Sequence, residues 1–173
     1  MPARRDLLAL GAVGLAAAAA GAFLGPLALR STSAAGRLLA ASFPDAAGRP
    51  HALKDWVGKP VAFNFWATWC APCLEEVPLL VDFYGKFRPK GIELVGICSD
   101  QVVKMLEFAK TYRITYPLLV ADGAVFELLR DLGNRGGALP YTVVLDRSGA
   151  IAHTRLGALK PGELDAVMVP MMG

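Results

Sequence analysis

The sequence predicts a single α/β domain built on a central mixed sheet, largely parallel, with helices on both faces and an antiparallel hairpin toward its end. Three observations predict it. From Leu38 onward, apolar runs of strand length alternate with segments of helical spacing, and such alternation implies parallel strands joined by covering helices. The last two strand-like runs are separated only by the turn Asp146 to Gly149, which is a hairpin signal. The roughly 135 residues after position 37 are enough to bury a core without staples.

Ser31 to Arg37 is small and polar and reads as a linker, and "RLLAASF" reads as a short strand. "GRPHALKDWVGKP" is a turn with one helical turn at Ala52 to Trp56. "PVAFNFWA" is apolar, aromatic and of strand length, and so predicts a buried central strand. "APCLEEVPLLVDFYGKF" has helical spacing at Leu74, Val77, Leu80, Val81 and Tyr84, with Pro78 expected to kink the helix. "GIELVGICS" predicts a second buried strand. "DQVVKMLEFAKTYRI" predicts a helix with Asp100 as its N-cap. "YPLLVA" is strand-like, "AVFELLRDLG" is a short helix closed by Gly133, and "NRGGALP" is a loop. "YTVVLDRSGAIAHTRLG" is the hairpin, and "KPGELDAVMVPMM" is a last helix with Pro161 near its start.

The first 37 residues stand apart from the domain of residues 38–173. Arg4 and Arg5 precede an uncharged run of 23 residues, Leu7 to Leu29, which as a helix spans about 34 Å, enough to cross a bilayer core. Basic residues before such a run keep the amino end in the cytoplasm and place the rest of the chain outside. The length favours a retained membrane anchor. Pro26 and the small residues Ser33, Ala34 and Ala35 favour a cleaved signal peptide. A buried helix of the domain itself is the third reading. "ARRDLLALG" also resembles a twin-arginine export signal. The export readings place the domain in a bacterial periplasm or on the outer face of the inner membrane.

Charge agrees with this division. The chain carries 18 basic and 15 acidic side chains, and the excess stands before residue 38, where Arg4, Arg5, Arg30 and Arg37 oppose Asp6. The rest is neutral and has no electrostatic footprint for nucleic acid.

The chemistry lies in "NFWATWCAPCLEEVP", Asn64 to Pro78. Three cysteines, Cys70, Cys73 and Cys98, are too few for a disulfide scaffold. Cys70 and Cys73 sit where a buried strand hands over to a helix, at the positive end of the helix dipole, which lowers a thiol's pKa. Cys70, at the helix mouth, is expected to be the exposed nucleophile. Cys73, one turn in, is expected to be shielded and to attack second, resolving a mixed disulfide. Pro72 is tolerated in the first helical turn, and Trp69 offers a flat apolar surface beside the reacting sulfur. Glu76, three residues beyond Cys73 on the same helical face, is the candidate proton acceptor. Alternatively Glu75 and Glu76 are carboxylates that the dipole favours in the first turn. Cys98 reads as a small buried apolar residue.

"NFWATWCAPC" followed by Glu76 and Pro78, with "KGIELVGICSD" and "LPYTVVLDRSGAI" in the same order, resembles the TlpA/ResA-like thiol-disulfide oxidoreductases of the thioredoxin superfamily. The resemblance covers about residues 40 to 165. It implies a thioredoxin-like fold with an extra helix–strand insertion at "QVVKMLEFAKTYRITYPLLV" and a redox-active disulfide between Cys70 and Cys73. It also implies a protein-disulfide reductase that needs no cofactor and no metal. Pro140 would be a cis-proline facing the cysteines, and Leu139 would offer its backbone to a substrate strand. The substrate-binding set is then Trp69, Pro72, Leu139 and Pro140, and the catalytic set Cys70, Cys73 and Glu76. Implied partners are exported proteins bearing disulfides, among them apocytochrome c in cytochrome c maturation or copper-site assembly proteins, and a membrane thiol that donates electrons. Asn64 stands where thioredoxin itself buries an aspartate; it cannot act as a base, which moves that role to Glu76.

Two other readings compete. Peroxiredoxins place a threonine three residues before a single reactive cysteine, whereas Thr68 is two before Cys70 and Cys73 comes directly after. A soft-metal carrier would pair the thiols with His153 or His51, or with Met168, Met171 and Met172. These are more simply surface histidines and helix-packing methionines.

Overall fold

The computed structural model describes residues 33–172. The expected export segment lies outside them as far as Thr32. Among the described residues no helix is long and apolar enough to cross a membrane. The described residues begin with a helix, α1, Ala34–Ala40, where a linker and a strand were predicted. Ser33 caps it, its hydroxyl accepting from the Gly36 amide at 3.0 Å, and Leu38 is fully buried. Short polar and small residues read as linker only until one apolar side chain finds the core.

β1 (Ser42–Pro44) and β2 (Pro50–Ala52) form a two-stranded antiparallel sheet, and a 3-10 turn at Leu53–Trp56 comes next. Then come β3 (Val61–Trp66) and α2 (Ala71–Phe87). β4 (Glu93–Cys98), α3 (Val102–Thr111), β5 (Leu118–Val120) and α4 (Val125–Asp131) continue the alternation. β6 (Tyr141–Leu145), β7 (Ile151–Leu156) and α5 (Glu163–Met168) complete it. The main sheet has the order β5-β4-β3-β6-β7. β3 pairs in parallel with β4, and β4 with β5; β3 pairs antiparallel with β6, and β6 with β7. The sheet is therefore mixed, but only half parallel. As expected, the hairpin β6–β7 adds an antiparallel edge to the three parallel strands, docking on β3.

The two-residue period of β3 sorts its side chains. Val61, Phe63 and Phe65 join the core beneath α1 and α4. Ala62 joins the core beneath α2 and α5, so Asn64 points toward α2 as well. Trp66 joins a third cluster with Met105 and Phe108 of α3 and all three cysteines. Helix α2 presents Cys73, Glu76, Val77, Leu80, Phe83, Tyr84 and Phe87 to the sheet, a stripe at helical spacing. Compared with the predicted stripe it is rotated, taking in Cys73 and Glu76 and leaving Leu74 and Val81 half-buried. Pro78 is exposed inside the helix, which continues past it for nine residues to Phe87.

Gly96 faces Asn64 across the β3–β4 pair. A Cβ there would stand 2.7 Å from Leu118 Cδ2 and 3.0 Å from both Trp66 Nε1 and Tyr116 Cε2. Leu118 can swing aside, but the two rings are locked in the core. Gly96→Ala is expected to destabilise the domain by about 1–3 kcal/mol through overpacking. Urea denaturation at unchanged m-value checks it; a loss below about 0.5 kcal/mol would show that the rings give way.

Candidate active site

The loop between β3 and α2 delivers the two cysteines. The Cys70 amide donates to the Ala67 carbonyl at 3.2 Å, and the Cys70 carbonyl accepts from Cys73 and Leu74 at 3.0 and 3.2 Å. Cys70 is thus the N-cap of α2, with extended backbone, and Pro72 occupies the first turn, where its missing N–H leaves nothing unpaired. Cys70 and Cys73 are joined in a disulfide with Cα atoms 5.3 Å apart.

Cys70 is more accessible than Cys73, 5% against 1%, so the expected ranking holds. The expected openness does not. Cys70 is almost covered, because Trp66, Ala67 and Met105 pack around the pair and Leu139 closes on it from the opposite loop. The exposed group is Trp69, at 65%, with Pro72 exposed beside the same helix mouth. Seventeen residues of α2 direct the positive end of their dipole at Cys70, where it favours a thiolate once the bridge is reduced.

Leu139–Pro140 is a cis peptide, and the loop before it is tied by a residue that sequence reasoning missed. Asn134, 2% exposed, donates from Nδ2 to the Ala138 carbonyl at 2.8 Å and accepts from the Ala138 amide at 3.2 Å. Gly137 takes φ +61° in this turn, against the Phe126 ring, a conformation that glycine adopts without strain. The only signal was an asparagine followed by a Gly-Gly pair. Among the described residues neither the amide nor the carbonyl of Leu139 has a hydrogen-bond partner. The Pro140 carbonyl accepts from Gly157 at 2.9 Å, which fastens the end of β7 to this loop.

Behind the disulfide lies Glu76, 2% exposed. Its Oε1 accepts from Asn64 Nδ2 at 2.8 Å, and its Oε2 accepts from the Leu159 amide at 2.8 Å. Asn64 Nδ2 also donates to Thr142 Oγ1 at 3.0 Å, its direct cross-strand neighbour on β6. Burial pushes the Glu76 carboxyl above its ordinary value, against the Leu159 and Asn64 hydrogen bonds, which pull it down. Glu76 is therefore no dipole-favoured carboxylate of the first turn, which holds no acidic residue. Glu75 is exposed.

A second tie holds the motif from the insertion side. The Thr68 hydroxyl donates to Asp100 Oδ2, and Asp100 Oδ1 accepts from the Gln101 amide at 2.7 Å. Gln101, not Asp100, is the N-cap of α3, because Asp100 turns back to Thr68. Though burial works against it, the Thr68 hydroxyl, the Gln101 amide and Lys104 hold the Asp100 carboxyl below its usual range. Cys98 is fully buried in the cluster of the disulfide. Burial, with Asp100 adding to it, pushes its thiol up to about 12, so it is an inert apolar residue as expected.

The other candidates lie elsewhere. His51 stands 3.3 Å from Asp45 and His153 3.7 Å from Glu163, while Met168 is buried under α2. Among the described residues no three His, Cys, Asp or Glu side chains are grouped to hold a metal. A cavity of about 830 Å³ at the carboxyl ends of β4 and β5 is lined by Ser42, Gln101, Ala121 and Gly123 and by neither redox cysteine.

Residues 37–154 match the AhpC/TSA family. The chain is 32% identical over 122 residues to the thiol-disulfide oxidoreductase ResA of Bacillus thuringiensis subsp. konkukian, covering 70% of this chain and 68% of that one. It is 29% identical over 126 residues to the ResA of Bacillus thuringiensis strain Al Hakam, covering 72% and 70%. Among solved structures it resembles a thiol:disulfide interchange protein of the thioredoxin family from Chlorobium tepidum TLS, at 29% identity and a TM-score of 0.65, over 77% of this chain and 93% of that one.

Proposed function

Because the chain belongs to the AhpC/TSA family and is a TlpA/ResA-like thiol-disulfide oxidoreductase of the thioredoxin superfamily, we propose that it works outside the cytoplasm as a reductase of disulfides in exported proteins. The observation that carries this is the Cys70–Cys73 bridge at the amino end of α2, with Glu76 buried on the next turn of the same helix. The uncharged run from Leu7 to Leu29 behind Arg4 and Arg5 supports the location.

In the reducing direction, Cys70 thiolate attacks one sulfur of a substrate disulfide. The Cys70–substrate bond forms, the substrate bond breaks, and one substrate thiolate leaves. Cys73 then loses its proton toward Glu76 and attacks Cys70 Sγ. The Cys70–Cys73 bridge forms, the mixed bond breaks and the second substrate thiol departs. Two electrons have passed to the substrate, and a membrane dithiol returns them. The substrate strand pairs with the Leu139 backbone, beside Pro140, with Trp69 and Pro72 as its apolar rim. Fitting substrates are apocytochrome c and copper-site assembly proteins. Thr68, whose hydroxyl is committed to Asp100, gives a peroxidase reading no support.

Glu76→Gln tests the proton role. It keeps the side chain's shape and one of the two acceptor contacts with Asn64 and Leu159 but cannot take a proton. Turnover with insulin is expected to fall by roughly the 10² that a general base contributes, and the pH limb of the resolving step is expected to disappear. A stability readout accompanies it. A carboxyl raised in the folded state binds its proton more tightly there than in the unfolded chain. Its contribution is fully present below the ordinary glutamate value and is lost as pH rises through the raised folded value, with a slope of at most about 1.4 kcal/mol per pH unit. The variant should flatten that slope; an unchanged profile in both measurements would retire the role.

A further inference from the structure

Glu76 meets the segment after β7, and that segment is gripped from two sides. The Leu159 amide donates to Glu76 at 2.8 Å. One residue earlier, the Ala158 carbonyl accepts from Arg155 Nη2 at 3.4 Å. One residue later, the Lys160 amide donates to Glu163 Oε2 at 3.0 Å. The other oxygen of Glu163 stands 3.6 Å from Arg155 Nε and 3.7 Å from His153 Nε2. Both nitrogens are buried and have no hydrogen-bond partner among the described residues. The two-residue period of β7 puts His153 and Arg155 on one face, turned to Glu163 at the start of α5.

We propose that Arg155 and Glu163 are positioning residues for Glu76: they fix the backbone from Ala158 to Lys160 so that the Leu159 amide stays on the carboxylate. This rests on Glu76 being the proton acceptor for Cys73. An amide donating to a carboxylate favours the ionised form, as does a nearby cation, while a nearby anion disfavours it. Arg155 lowers and Glu163 raises the affinity of Glu76 for its proton. Glu76 and Leu159 also line a cleft of about 640 Å³, and other charges face it. Lys86 and Asp165 offset each other at 3.1 Å. Glu75 and Asp82 line the cleft on the α2 side. Tyr116 lies near Glu76 in the core, its hydroxyl pushed up by burial and then by Glu76 itself. None of these holds the Leu159 backbone.

The test mixes the reduced protein with 5,5′-dithiobis(2-nitrobenzoate) in stopped flow across pH. Release of the first thionitrobenzoate reports attack by Cys70, and release of the second reports resolution by Cys73. Glu163→Gln is expected to move the limb of the second phase to lower pH. Arg155→Gln is expected to move it to higher pH, each by roughly 0.3–1 unit, and Arg155→Lys is expected to restore it. The first phase keeps its pH dependence throughout. Titration of the 13C-labelled Glu76 carboxyl in the oxidised protein gives the same shifts without any reaction. Unmoved limbs, or an Arg155→Gln limb that Arg155→Lys does not restore, overturn the proposal while Glu76→Gln still abolishes the limb. If Glu76→Gln leaves the limb in place, the proton-acceptor reading falls and this proposal with it.

Discussion

Alanine at Cys70 will abolish reduction of insulin or of a small aromatic disulfide, to below about one part in 10³ of the wild-type rate. Neither remaining thiol can replace it. Cys73 is 1% exposed and lies inside the first turn, where an external disulfide cannot approach along the sulfur–sulfur axis. Cys98 is fully buried with its thiol pushed up to about 12 by burial, so it stays protonated at neutral pH. The fold should survive, since Cys70 is a helix N-cap that makes no side-chain capping bond. Circular dichroism and urea unfolding, compared with the reduced wild type, serve as the control. Retained insulin reduction by a folded Cys70→Ala protein would remove the dithiol mechanism altogether.

Cys73→Ala will have the opposite signature: attack without release. Cys70 still captures a disulfide at the positive end of α2, but nothing inside the protein displaces the product. The mixed disulfide then lasts until an outside thiol reaches Cys70, and the 5% exposure of that residue makes such rescue slow. Multiple turnover is lost while the first thionitrobenzoate is released at close to the wild-type rate. The truncation leaves a small void in the cluster with Trp66 and Met105 and costs about 1 kcal/mol, too little to unfold the domain. Exposed to its own cell envelope and resolved by non-reducing electrophoresis, the variant should carry covalent adducts that vanish when Cys70 is also replaced. Mass spectrometry of those adducts identifies the substrates. A Cys73→Ala protein that turns over normally would mean that resolution is supplied from outside and that Glu76 serves no proton transfer.

Much of this was legible in the chain because it is local. The dithiol, its place between a buried strand and a helix, and Pro72 in the first turn are all read within a few residues. The insertion helix and the closing hairpin are legible from spacing and a four-residue turn. Glu76 was legible as a candidate through its position three residues after Cys73, and Pro140 through the order of the motifs. The misreadings have one kind of cause. Ser33 to Arg37 lacks a strong apolar pattern, and its helix is held by the Ser33 cap and by Leu38, Ala34 and Leu39 against the core. Asp100 has the chemistry of an N-cap, yet Thr68 competes for it from the other side of the site.

By itself, then, the sequence determined the paired cysteines, their order along a helix axis, and the alternation of strands and helices, since dipoles, caps and hydrophobic periods act over one or two turns. Tertiary structure alone decided what surrounds them. The partners of Glu76 are Asn64 and Leu159, 12 and 83 residues away, and Asn64 is steadied by Thr142 at a separation of 78. A buried carboxylate takes its proton affinity from whichever groups sheet order and face-to-face packing bring within about 3 Å, and those contacts exist only once β6 has paired with β3 and the chain after β7 has closed over α2.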